Sequence, residues 1–472
     1  MTTLILKNAH LIDGTGAPSK EAATVVITDG KISEVRDSTA NIARFDPTEL
    51  EKLEPHERDI VRKRYGLSGE KMRTQKELAQ EMGVAQNQLR GMETRILRKL
   101  SVASAGSAQE EGEDRQDTTT IDLAGSTLLP GLINAHFHIM FDAGPDPFAS
   151  LARMSQAQAI VKAIKRGEAM LRAGITTARE LGGYEWHEMA LRDSFASGEL
   201  KGPRLLCAGK IITMTGGHGW SLGLESDGAD EVRKSARLNL KKGADCIKLM
   251  ATGGVLTPGV EPGAAQLSEE EMRAGIEEAH NVGKRTASHA QGTKGIKNAL
   301  RAGIDTIEHG IFLDDGCIEL MLKQGTVFVP TLAAPYRINE AGAAKGMPDY
   351  VLRKSLAVSG AHRRSFEMAL EAGVTIAAGN DGGTPFNPSE DLVTEVRLMV
   401  EYGMSALDAI KAATHGSAQA LGVADEVGTI EQGKWADLIV LRPNADPLSD
   451  ISALSQIELV IQQGQRVVDR RS

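Results

Sequence analysis

A chain of 472 residues is too long for one small hydrophobic core and suits a barrel-sized domain with one or two smaller ones. Its 41% hydrophobic and 25% charged residues are those of a soluble globular protein, and no apolar run approaches membrane-spanning length, so no membrane partner is expected. The net charge of −9 excludes nucleic acid as the partner of the whole surface, although a local basic patch could still bind it.

The N-terminus, MTTLILKNAHLIDGTG, lacks a basic leader region and a long apolar core, and reads as a strand and turn rather than a signal peptide. Residues 2 to 35 alternate like short strands, with Asp29-Gly30 as a hairpin signal. The same texture returns in TTTIDLAGSTLLPG (118–131) and in VGTIEQGKWADLIVLRP and ELVIQQGQRVV near the C-terminus. Both chain ends are therefore expected to build one small β-sandwich, from residues 1–38, 117–130 and 423–472.

Residues 39–116 differ in character. LEPHERDIVRKRYGLSGEKMRTQKELAQEMGVAQNQLRGMETRILRKL has helical periodicity, and residues 61–100 carry ten Lys and Arg against four Glu, a local charge of +6 that leaves the remainder at −15. Its flanks are polar, small or acidic, as linkers are. From Leu53 to Leu100 it resembles the C-terminal helix-turn-helix domain of bacterial sigma factors: RYGL, a Gly-containing loop, TQKELAQEMGV as first helix and turn, AQNQLRGMETRILRKL as recognition helix. Ala85, Gln86, Asn87 and Gln88 replace the usual polar and basic lead, and Gly91 weakens the helix by about 1 kcal/mol. The expectation is an all-α insertion that binds no DNA, with residues 53–100 the place where any such binding would reside.

From 131 to 422, eight short apolar strands alternate with amphipathic helices: LINAHFHI, GITTARE, PRLLCAGK, DCIKLM, RTASHA, TIEHG, VFVPTL and TIAAGND. Eight strand-helix units with Gly at most helix ends predict an α/β fold, a (β/α)8 TIM barrel. Three widely spaced cysteines, Cys207, Cys246 and Cys317, give neither a disulfide framework nor a zinc pattern, and point to a reducing compartment, the cytoplasm.

In such a barrel the chemistry sits at the C-terminal strand ends. Strand 1 ends in His136 and His138, which alternation turns to one face, where they could share a metal ion or be a satisfied structural pair. Strand 4 carries Lys248, strand 5 ends in His289, strand 6 in His309 and strand 8 in Asp381. Six polar residues at matching ends of apolar strands are hard to explain singly, because each would be costly without a partner.

The ordered set HxH, Lys, His, His, Asp resembles that of the amidohydrolase superfamily, in its binuclear-metal members with a carboxylated lysine. The resemblance covers the chain apart from the insertion. It implies two divalent ions, zinc foremost, with His136 and His138 on the buried ion, His289 and His309 on the other, and Lys248 bridging both as an N6-carboxylated side chain. Asp381 would ligate the buried ion, accept a proton from the attacking water and return it to the departing amine. His218, in TGGHGW, and Tyr336, in PTLAAPYR, are candidate donors to the oxyanion and substrate contacts.

Within the superfamily, TTARELGG (176–183), TMTGGHGW (213–220), KLMATGGVLTPG (248–259), IEHGIFLDD and GNDGGTPFN (379–387) are similar to the imidazolonepropionase-related group that holds Xaa-Pro, Xaa-Arg and other carboxy-terminal dipeptidases. The group implies a homo-oligomer acting on a small molecule or dipeptide, and cleavage of the C-terminal amide of dipeptides or N-acyl amino acids. Arg179 and Arg337 are candidates for holding the substrate carboxylate. Two alternatives stand beside this: hydrolysis of a cyclic amide or an N-acyl aromatic, mycotoxin-type amide, and a DNA-binding regulator acting through the insertion. His10, His56, His187, His280, His362 and His415 lie off the strand ends and are assigned surface, packing or helix roles.

Overall fold

The computed structural model describes residues 2–36, 50–65, 67, 70, 73, 75–84, 88–89, 92–93, 95–96, 99, 118–343 and 346–471. Ala85, Gln86, Asn87 and Gly91, and most of both expected linkers, lie outside the described residues. The chain forms two compact units, Met1–Pro130 with Thr429–Asp446 and Gln456–Ser472, and Gly131–Gly428 with Pro447–Ser455. Among the described residues, no helix is long and apolar enough to cross a membrane.

In the first unit, Thr3–Leu11 pairs antiparallel with Lys20–Thr28, which pairs with Lys31–Arg36. The connecting Asp29 and Gly30 both have positive φ, 47° and 84°, the twist that a two-residue hairpin needs. Thr3–Leu11 also lies parallel to Thr118–Asp122 and Thr127–Pro130, and the sheet continues through Leu438–Leu441, Ile457–Gln462 and Gln465–Asp469. All eight strands belong to one sheet. It folds over, because Ile32 N–H donates to the Lys434 carbonyl and Gly464 N–H to the Ala436 carbonyl. Leu4, Leu6, Val25, Ile27, Leu438 and Leu459 fill the space enclosed. The helical insertion contributes Pro55–Tyr65, with Pro at its first position, and Gln75–Met82. Leu53, Ile60, Val61, Leu78, Leu89 and Ile96 cluster there with Ala22 of the sheet.

The second unit is the TIM barrel. Seven of its strands are Leu132–Phe137, Ile175–Glu180, Arg204–Cys207, Cys246–Met250, Arg285–Ala290, Thr306–His309 and Val327–Val329, buried almost throughout and parallel, as a barrel covered by helices requires. Strands 1 to 3 form one ladder and strands 4 to 7 another, joined where Asp245 N–H donates to the Cys207 carbonyl.

The eighth strand, expected over 375–381, is not a continuous strand. It closes the barrel through single parallel bridges, Ile376 to Phe328 and Gly382 to Phe137. The cause is local: Ala378 N–H turns out of the ladder to the Ala412 carbonyl at 3.0 Å and the Ser417 hydroxyl at 3.1 Å, where the following helix widens into a π turn over Ala412–Gly416.

Candidate metal centre and cavity

Strand 1 turns His136 and His138 to the same side, and the irregular eighth strand brings Asp381 opposite them. Asp381 N–H donates to the His136 carbonyl at 2.9 Å, and His138 N–H to the Gly382 carbonyl at 2.8 Å. The approach requires Gly379, where a Cβ would stand 2.8 Å from that of His136. Asp381 and His309 both adopt positive φ, 54° and 70°, at a cost of about 1 kcal/mol or more each, as tightly constrained sites often do. Asp381 Oδ1 then lies 3.4 Å from His136 Nε2 and 3.2 Å from His138 Nε2. Ligand atoms of His136, His309 and Asp381 fall within 4.8 Å of one another. The His289 and His309 ring centroids are 4.5 Å apart. Lys248 is 2% exposed, and its Nζ has no hydrogen-bond partner among the described residues.

The electrostatics suit cation binding. Burial drives the imidazoles of His136, His289 and His309 well below their usual range, which leaves them neutral with a lone pair to offer. Burial also lowers Lys248 to about 8. Burial opposes ionisation of Asp381, but His136 and the hydrogen bond from His138 outweigh it and hold the carboxyl below its ordinary value. Burial likewise opposes charge on His138, yet Asp381 and Glu180 push it up to about 9. Three neutral imidazoles, a fourth at His138 that would give up its proton to a bound ion, an ionised carboxylate and an unpartnered amine that can become an anionic carbamate form a donor set that fits two divalent ions.

All six residues line a cavity whose other walls are mainly apolar, including Phe141, Phe148, Ile211, Leu222, Ile338 and Val358. His218 lines it too, its ring centroid 4.3 Å from that of His289. The Thr257 hydroxyl oxygen accepts from Gly219 N–H at 3.1 Å and is 2.7 Å from His218 Nδ1. With that hydroxyl donating to Nδ1, the Nε2 of His218 carries the proton. Burial lowers this imidazole to about 3, so it is neutral and can serve as a hydrogen-bond donor.

Three expected contacts are placed elsewhere. Tyr336 and Arg337 lie on the helix Ala333–Ala341, whose cavity side is taken by Ala334, Pro335 and Ile338; helical rotation turns their side chains away. Tyr336 donates to Glu340 at 3.4 Å, and Arg337 to Glu340 and Thr394, each at 2.8 Å, and to Asp391. Arg179 is wholly buried within the barrel, donating to the Ala135 carbonyl at 2.8 Å, to Thr306 at 3.2 Å and to Glu308 at 2.9 Å. None of the three lines the cavity, and so none is placed to meet a substrate there.

Sequence reasoning passed over Glu308, which accepts from His136 Nδ1–H at 2.8 Å. The signal was present in TIEHG, but strict alternation sends Glu308 and His309 to opposite faces; the left-handed backbone at His309 breaks that alternation. His362, read as a packing or helix residue, also lines the cavity and donates from Nε2 to the Pro330 carbonyl at 2.6 Å. A lone histidine in an amphipathic helix gave no hint of this.

The model of the amidohydrolase family matches residues 127–467, and that of sigma-70 region 4 matches residues 50–101. A protein of Aspergillus niger named ochratoxinase is 31% identical over 365 residues, covering 71% of this chain and 73% of its own. An imidazolonepropionase of Caldanaerobacter subterraneus subsp. tengcongensis is 26% identical over 371 residues, covering 72% of this chain and 82% of its own. Among solved structures, a Xaa-Pro dipeptidase with bound methionine in its active site superposes with a TM-score of 0.76 at 27% identity, covering 99% of this chain and 100% of that one.

Proposed function

Because the chain belongs to the amidohydrolase family, we propose that it is a metal-dependent hydrolase cleaving the C-terminal amide of an N-acyl amino acid or dipeptide with a bulky apolar group beside the scissile bond. The observation that carries this is the cavity, walled mainly by apolar and aromatic side chains, that the His136, His138, Lys248, His289, His309 and Asp381 cluster also lines. His136, His138 and Asp381 would hold one ion and His289 and His309 the other, with a carboxylated Lys248 between them. Two divalent ions, when bound, supply a water acidic enough to attack at neutral pH and polarise the carbonyl.

The chain's own residues do the rest. Asp381, held ionised, takes the proton of the attacking water and delivers it to the departing amine nitrogen. His218 donates from Nε2 to the oxygen that gains negative charge as the carbonyl becomes tetrahedral. Phe141 and Phe148, ring centroids 4.8 Å apart, seat the apolar group and keep water from the reacting atoms.

A panel of N-acyl-phenylalanines, ochratoxin, Xaa-Pro dipeptides and cyclic amides, assayed on the zinc-loaded protein, tests the proposal. The aromatic N-acyl amino acids are expected to have the highest kcat/KM. Turnover of Xaa-Pro dipeptides alone would favour the dipeptidase reading, which the structural likeness to such an enzyme supports. Turnover of cyclic amides alone would refute both.

A further inference from the structure

The two histidines of strand 1 are held differently. Among the described residues His138 Nδ1 has no hydrogen-bond partner, and it stands 3.8 Å from Glu180 Oε1. His136 Nδ1–H donates to Glu308 Oε2 at 2.8 Å. The other oxygen of Glu308 accepts from Arg179 at 2.9 Å and from the Thr306 hydroxyl at 2.5 Å. Arg179 returns to strand 1, donating from Nε to the carbonyl of Ala135, the residue before His136. Glu308 and Arg179 are both 0% exposed. The result is a closed ring of contacts through strands 1, 2 and 6 that begins and ends beside one imidazole.

A buried ion pair is a poor device for stability alone, since desolvation offsets much of its attraction. It does have a use as a device for geometry. We propose that the Arg179–Glu308 pair is a positioning element for His136. It fixes the ring as the Nδ1–H tautomer, with the Nε2 lone pair on the side of Asp381 and His309, and so presents the centre with one ligand already oriented. Among the described residues Arg179 makes no hydrogen bond to a candidate ligand side chain; its hydrogen bonds run to Glu308, Thr306 and the strand 1 backbone. The inference rests on the reading of the cluster as a metal centre. Metal-ligating histidines whose second nitrogen is fixed by a carboxylate lose about 10- to 100-fold in metal affinity when that partner is removed.

The test is metal binding rather than turnover. Metal-free wild type, Glu308→Gln and Arg179→Met are titrated with Zn2+, and with Co2+ followed by its visible absorption, while circular dichroism checks the fold. Both variants are expected to bind one ion 10- to 100-fold more weakly with an altered cobalt spectrum, and the other ion, at His289 and His309, with a smaller change. Wild-type affinities and an unchanged spectrum in the folded variants would overturn the proposal. Should neither variant fold, histidine-selective 15N NMR of metal-free wild type decides, with His136→Gln providing the assignment. A His136 signal of the Nδ1–H tautomer with a slowly exchanging proton supports the proposal, and an Nε2–H or averaged tautomer overturns it. A wild-type chain that binds no metal would sink the reading of the centre itself, and this proposal with it.

Discussion

Lys248 shows how a single buried residue can be prepared for chemistry by its surroundings. An ammonium group 2% exposed and without a hydrogen-bonding partner is expensive, and burial accordingly lowers this lysine to about 8. At pH 7 roughly one such amine in ten is unprotonated, against about one in three thousand at the ordinary lysine value. Only the neutral amine attacks carbon dioxide: its lone pair forms the new N–C bond, one proton leaves, and the carbamate left behind would be the anion that the proposed pair of divalent ions needs. Metal uptake by metal-free protein should therefore quicken with added bicarbonate and, at a fixed partial pressure of carbon dioxide, as pH rises from 6 towards 9, where the amine fraction grows, and level off above that. Atomic absorption on samples withdrawn over time would measure it, and uptake indifferent to bicarbonate would contradict the role given to Lys248. Lys248 stands out in the sequence because it interrupts an apolar strand, CIKLM, and Arg179 stands out for the same reason. Both are lone cations in apolar strands, but Arg179 is answered by Glu308, a partner more than a hundred residues away.

At the scale of elements, seven barrel strands could be read as short apolar runs bounded by glycines, since strands buried on both faces leave that signature. The eighth could not be read correctly, because TIAAGND gives no sign that a π turn around Ala412–Gly416 will take the amide of Ala378. The loss of regular pairing there leaves Gly379 to set the distance between strand 8 and strand 1. Gly379→Ala would put a Cβ 2.7 Å from the His136 amide nitrogen and 2.8 Å from its Cβ, so the strands must part and carry Asp381 away from the imidazoles. Overpacking of this kind costs ~1–3 kcal/mol. Thermal denaturation should show that loss together with a reduced metal content per chain. Gly360→Ala, within the long helix Asp349–Glu371 and with no atom nearer than 3.6 Å to the new methyl, is the control and should leave both unchanged or raise stability slightly. Equal metal content in Gly379→Ala and wild type would mean that the strand 8 approach does not hold the site together.

For the molecule as a whole, the insertion was visible as a change of composition, and the sheet made by both chain ends as a return of the same strand-and-turn texture. What the linear sequence could not give is where the insertion's charges go. Lys63 pairs with Asp59 at 2.9 Å and Glu81 at 3.0 Å, Arg64 with Glu93 at 3.1 Å, Arg73 with Glu81 at 2.6 Å and Lys99 with Glu57 at 2.5 Å. Pairs this exposed are screened by water and salt and contribute little, so they do not lock the segment. Glu81 and Glu93 are already counted in the local +6, but Asp59 and Glu57 lie outside that stretch and answer part of it, and the remaining −15 of the chain repels a polyanion. Promoter-type duplex DNA should therefore show no mobility shift at 50 mM salt, whereas binding that weakens steeply as salt rises would overturn this and revive the regulator reading. Removal of residues 39–116 should leave the metal centre intact, since apart from Ala22 the insertion's apolar cluster is its own. The cut ends are not adjacent, however. Arg36 and Thr118 lie on strands separated by two others, roughly 14 Å across three ladders and offset further by about four residues along the strands, so a linker must bridge them. With that linker, metal content and kcat/KM on the preferred amide should stay within about twofold of the full chain. A soluble, folded deletion that had lost its metal would show that the insertion is needed to complete the enzyme.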